Sequence, residues 1–180
     1  VALTPDRRSL VYSSNCGDVD RRHLWRVSVS EGPSSQLTAG TGIEWSPRVL
    51  ADGQTLAYLA SDARRPASPH LLSLAGGRPR AIAPETIPAD FPGAQLVEPQ
   101  QVIFKAADGW QIHGQLFLPA DLKAAPAEGR RPAVIFVHGG PIRQMLLGWH
   151  YLYYYHNAYG FHQFLASRGY VVLSVNFRSG

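Results

Sequence analysis

The sequence predicts a β plus α/β chain: partial β-propeller blades followed by the opening part of an α/β domain. Three observations predict it. Roughly the first ninety residues read as short strands between turns, those strands recur at an offset of about 46 residues, and the last fifty residues read strand, helix, strand.

The first strand is Leu10-Val11-Tyr12-Ser13, entered through the turn Thr4-Pro5-Asp6-Arg7. His23-Leu24-Trp25-Arg26-Val27-Ser28-Val29 alternates apolar and polar side chains, the period of a half-buried strand, and Glu31-Gly32-Pro33-Ser34 turns the chain. The pattern then repeats. Asp52-Gly53-Gln54-Thr55-Leu56-Ala57-Tyr58-Leu59 aligns with residues 6–13, and His70-Leu71-Leu72-Ser73-Leu74 with residues 23–27. An offset of about 46 residues suits one four-stranded propeller blade of about 40–50 residues. A β-sandwich with evenly spaced hairpins is the competing architecture.

Residues 83–99 change the grammar. Pro84, Pro88, Pro92 and Pro99 with small residues between them disfavour helix and central strand alike, so a linker is expected. The expected domains are 1–95 and 96–180. A hairpin follows, with Gln101-Val102-Ile103-Phe104-Lys105 and Gln111-Ile112-His113-Gly114-Gln115-Leu116-Phe117 flanking Asp108-Gly109. Ala133-Val134-Ile135-Phe136-Val137 is an uninterrupted apolar run, as in a strand covered on both faces. A helix is expected near residues 161–167, with Phe161, Phe164 and Leu165 on its apolar face and Gly169 as its C-terminal stop. Tyr170-Val171-Val172-Leu173-Ser174-Val175 is the second strand, and strand–helix–strand order implies a parallel pair.

Composition narrows the function classes. The chain has 180 residues, 45% hydrophobic and 17% charged, with no apolar run long enough to span a membrane. No basic n-region with an apolar stretch opens it, so no signal peptide is expected, and the compartment stays open. The charge of +4 comes mostly from arginine pairs in turn-like stretches, such as Arg7-Arg8 and Arg64-Arg65, and not from one basic face. A nucleic-acid partner is therefore not expected. The single cysteine, Cys16, excludes an internal disulfide. His150, His156 and His162 recur every six residues, about 600° of helix, so they share no face and no metal site is expected. The aromatic residues among them suit packing or the lining of a substrate cavity.

His138-Gly139-Gly140-Pro141, at the tip of the apolar strand, is the most informative string. Two glycines at a strand end let backbone N–H groups approach a developing oxyanion to about 3 Å, where side chains would block the way. A plain strand-ending turn suits the tetrapeptide equally well. In sequence come the repeats, the Pro-rich linker, the Asp108-Gly109 hairpin, this loop, and Val175-Asn176-Phe177-Arg178-Ser179-Gly180. In that order they resemble the prolyl oligopeptidase family of serine peptidases, in which a β-propeller precedes an α/β-hydrolase domain.

The resemblance implies a peptide substrate, an acyl-enzyme mechanism and no cofactor. It implies an oxyanion or substrate site at His138, Gly139, Gly140, Pro141 and Arg178. His138 stands where the dipeptidyl-peptidase branch carries a tyrosine, so the loop looks more like the acylaminoacyl-peptidase branch, with backbone donors. Arg178 suits a substrate carbonyl or carboxylate and suits a structural ion pair equally. No G-x-S-x-G elbow occurs in the chain, so the Ser, Asp and His of a triad are expected beyond Gly180 and the chain alone is expected to be inactive. Packing against further residues of its own polypeptide, or self-association, is expected. A carboxylesterase and a non-catalytic propeller binding protein are the alternatives.

Overall fold

The computed structural model describes residues 1–121, 130–140 and 142–178. It contains two compact units, Val1–Phe91 and Pro92–Gly180.

The first unit holds two antiparallel four-stranded meanders. β1 (Ala2–Leu3), β2 (Ser9–Ser14), β3 (His23–Ser28) and β4 (Ser35–Gln36) form one; β5 (Ile43–Val49), β6 (Thr55–Ser61), β7 (Ser68–Ser73) and β8 (Arg80–Ala81) form the other. The repeat is visible in the turns. Asp6 accepts from the Thr4 hydroxyl and the Arg8 amide, and Asp52 accepts from the Gln54 and Thr55 amides and the Thr55 hydroxyl. These hydrogen bonds hold both carboxyls below the usual carboxylate range. β5 carries Pro47 within it; the ladder slips between Trp45 and Arg48, where a proline costs no pairing.

Val11, Leu24, Leu56, Tyr58 and Leu72 form one apolar core for both sheets. Beside it lies a buried polar seam. Glu44 Oε2 accepts from His23 Nδ1–H at 2.8 Å and from the Thr38 hydroxyl at 2.8 Å, and the Thr38 oxygen accepts the Leu24 amide at 2.8 Å. Glu44 Oε2 thus accepts two hydrogen bonds, which offset part of the cost of burying a carboxylate.

The second unit contains one sheet in the order β11-β12-β10-β9, built from β9 (Gln100–Lys105), β10 (Gln111–Phe117), β11 (Ala133–Val137) and β12 (Val171–Asn176), with helix α1 (Tyr153–Ser167). β9 and β10 form the hairpin, with Gly109 at φ 88° in its turn. β10 pairs antiparallel with β12, and only β11 and β12 are parallel. α1 ends in a Schellman motif: Tyr170 N donates to Leu165 O and Gly169 N to Ala166 O, each at 3.1 Å, with Gly169 at φ 86°. The Gln163 side-chain amide clasps the Val97 backbone, accepting from its N–H at 2.9 Å and donating to its carbonyl at 2.8 Å.

Three expectations are corrected. The fold class is not propeller blades followed by an α/β-hydrolase domain. The described residues form three four-stranded sheets and a single α-helix, a β-dominated chain with no closed propeller. Two repeats cannot close a ring that needs at least about four. One helix and one parallel pair do not make a sheet layered by helices.

The apolar face of α1 is also not the expected one. Phe161 and Phe164 are exposed, whereas Tyr155, Tyr159, His162 and Ala166 are buried, at the spacing of one helical stripe. Finally, β11 is covered on one face only: Phe136 packs on His162, while Ile135 and Val137 are 70% and 59% exposed.

Candidate functional site

β11 delivers the chain to His138, Gly139 and Gly140. The His138 side chain turns inward and is buried, stacked on Phe177 at 4.5 Å between centroids. Burial holds its imidazole below the usual histidine range, partly offset by a contact with the Gly139 carbonyl. That contact, at 3.5 Å, is at the limit of a hydrogen bond.

The stronger partner of the same carbonyl is Tyr155, whose hydroxyl donates to Gly139 O at 2.6 Å. In a trans peptide the C=O and the following N–H point in opposite directions. Anchoring Gly139 O on α1 therefore aims the Gly140 N–H away from the helix. Gly140 has φ 77°, a conformation that a branched residue rarely adopts, and both glycines are exposed. Among the described residues, Gly140 N–H meets no acceptor.

The segment after the loop is clamped from below. Asn176 Oδ1 accepts the Met145 amide at 2.8 Å, and the Met145 carbonyl accepts from Asn176 Nδ2 at 3.0 Å and Gln115 Nε2 at 3.2 Å. Asn176 and Gln115 are buried polar residues on neighbouring strands. Sequence reading missed both as supports; their signal is a polar side chain in an otherwise apolar strand. His150 braces the same segment, donating from Nε2 to Gln144 O at 2.8 Å and accepting the Leu152 amide on Nδ1 at 2.9 Å. Arg143 stands over the Tyr155 ring at 6.0 Å, and a Cβ at position 140 would lie 3.3 Å from its Nε. A positive charge thus lies beside the exposed backbone donor.

Of the residues singled out from sequence, His138, Gly139 and Gly140 form this loop. Pro141 lies outside the described residues. Arg178 is exposed and forms an ion pair with Asp108 in the β9–β10 turn. Among the described residues no helix is long and apolar enough to cross a membrane.

The fold is shared by a solved structure: a puromycin-hydrolyzing peptidase from Mycobacterium tuberculosis is similar at a TM-score of 0.70, with 24% identity over 97% of this chain. The chain spans 25% of that protein's length. No family model matches the chain, and no curated protein does.

Proposed function

We propose that this chain is a segment of a serine-type peptidase resembling the prolyl oligopeptidase family, in which Gly139 and Gly140 bind the oxyanion through backbone N–H groups. The observation that carries the reading is the Tyr155–Gly139 hydrogen bond at 2.6 Å, which fixes the peptide plane and leaves the Gly140 N–H free to donate. A tetrahedral intermediate concentrates charge on the former carbonyl oxygen, and a donor fixed in advance needs no reorganisation when that charge appears. His138 serves the loop by packing on Phe177, and its ring does not carry the charge.

The nucleophile comes from outside these residues, and short peptides are the substrate class. On this reading residues 1–95 and 96–180 belong to separate domains. The peptidase identity of the structural neighbour supports the reading.

The test uses a serine-directed fluorophosphonate probe. The 180-residue chain should remain unlabelled, whereas the longer gene product containing it should label at one serine and hydrolyse aminoacyl or dipeptidyl amides. Stoichiometric labelling of the short chain overturns the division of labour. Absence of both labelling and peptide turnover in the long product overturns the peptidase reading.

A further inference from the structure

The first unit carries a feature that the peptidase reading does not use: an open pocket of about 180 Å³ lined by Gly42, Glu44, Tyr58, Ser61, Arg65 and His70 among others. Its base is unusual. Glu44 is only 6% exposed, and its Oε2 is fully occupied by His23 and Thr38. Among the described residues its other oxygen, Oε1, has no partner. The route to Oε1 is open because residue 42 is glycine; a Cβ there would collide with that oxygen.

Tyr58 supplies an independent second group. It is 4% exposed, its ring stacks on His70 at 5.7 Å, and its hydroxyl has no partner among the described residues. Burial, and then the charge of Glu44, push that hydroxyl up to about 12, so it stays protonated and lies within the field of the carboxylate. His70 Nδ1–H donates to Ser68 O at 3.1 Å, which leaves Nε2 as a lone-pair acceptor. At the rim, Asp62 accepts from the Arg64 and Arg65 amides, and the lining sets two carboxylates, Glu44 and Asp62, against one guanidinium, Arg65. The interior is left acceptor-rich and anionic.

We propose that this pocket binds a small organic cation with several N–H donors, an alkylguanidinium or primary alkylammonium group, held by Glu44 Oε1 and Tyr58 Oη. A buried, half-used carboxylate attracts a cation, and N–H donors satisfy both unpartnered oxygens at once. The volume limits the ligand to a headgroup with a short alkyl stem. Guanidinium, the more weakly hydrated, gives up less on leaving water.

The test is a titration of the 180-residue chain at constant ionic strength, following the Ala60 amide in the pocket lining by NMR. Methylguanidinium and n-propylammonium serve as probes, and tetramethylammonium, which has no N–H, as the control. Saturable shifts are expected for the first two, with Kd on the order of millimolar for so few atoms, and none for the control. Glu44→Gln would disturb the His23–Thr38 seam, so the informative variants are Tyr58→Phe, which removes one oxygen, and Gly42→Ala, which fills the route to Oε1. Each should weaken binding roughly tenfold, Gly42→Ala because its Cβ must displace Glu44, and in Tyr58→Phe the His23 and Thr38 resonances should stay in place. Equal shifts with tetramethylammonium, no saturation, or unchanged affinity in both variants overturns the proposal.

Discussion

The Tyr155 hydroxyl holds the Gly139 carbonyl at 2.6 Å, so the first turn of helix α1 sets the direction of the peptide between Gly139 and Gly140. Tyr155→Phe keeps the ring and removes only that bond. In the proposed peptidase it should lower kcat about tenfold with KM less affected, on the scale of one hydrogen bond. Steady-state kinetics checks it. A KM effect with kcat unchanged would mean that the tyrosine only shapes the binding surface.

Gly140→Val places a branched side chain at φ 77° and against Arg143. If the Gly140 N–H binds the oxyanion, kcat should fall by about 10²–10³. His138→Ala should cost less, because the ring packs on Phe177 and faces inward. With both variants folded, the reverse ranking would assign the donor to the His138 side chain.

His162 is 1% exposed, packed edge-on against Phe117 and Phe136, and neither ring nitrogen has a hydrogen-bond partner. Burial pushes its imidazole down to about 4 from 6.5. A folded-state pKa depressed below the unfolded value means that the unfolded chain takes up the proton first. The stability linked to neutral His162 is therefore complete above pH 6.5 and declines as pH falls through that value towards about 4. The loss approaches about 3 kcal/mol. His162→Leu should flatten this part of the profile, measured as urea midpoints at pH 7 and pH 5. An unchanged acid slope would assign it to other groups.

β11 is an edge strand without a charged residue, and Ile135 and Val137 project from its uncovered face. Such an edge is a template for pairing with another chain. The isolated chain should self-associate at micromolar concentration, and Ile135→Lys should shift it towards monomer in light scattering. A monodisperse wild-type chain would mean that the edge finds cover of its own.

What was legible in the sequence was local. Asp108-Gly109 announced its turn, and Gly169 announced the end of α1, because each signal needs only its neighbours. The face of α1 was not legible. Phe161 and Phe164 are more apolar than Tyr155 and His162, but the sheet buries the stripe that its own side chains can meet, and Phe117 and Phe136 meet the latter. The fold class failed for a similar reason, since a repeat reports the shape of each unit and not how many units a ring would need. The clamp by Asn176 and Gln115 depends on strands far apart in sequence. The loop at His138, Gly139 and Gly140 could be read as a motif, but its anchor, Tyr155, lies sixteen residues on.

The Gln163 clasp on Val97 makes one side chain act as a length of strand. It shields the Val97 amide proton in a stretch with no ladder of its own, so that proton is protected only while α1 is wound. Hydrogen exchange at Val97 is therefore a clock for the helix, read at a site 66 residues away in sequence. Gln163→Glu keeps the acceptor and loses the donor, and should start that clock running faster without unwinding the helix.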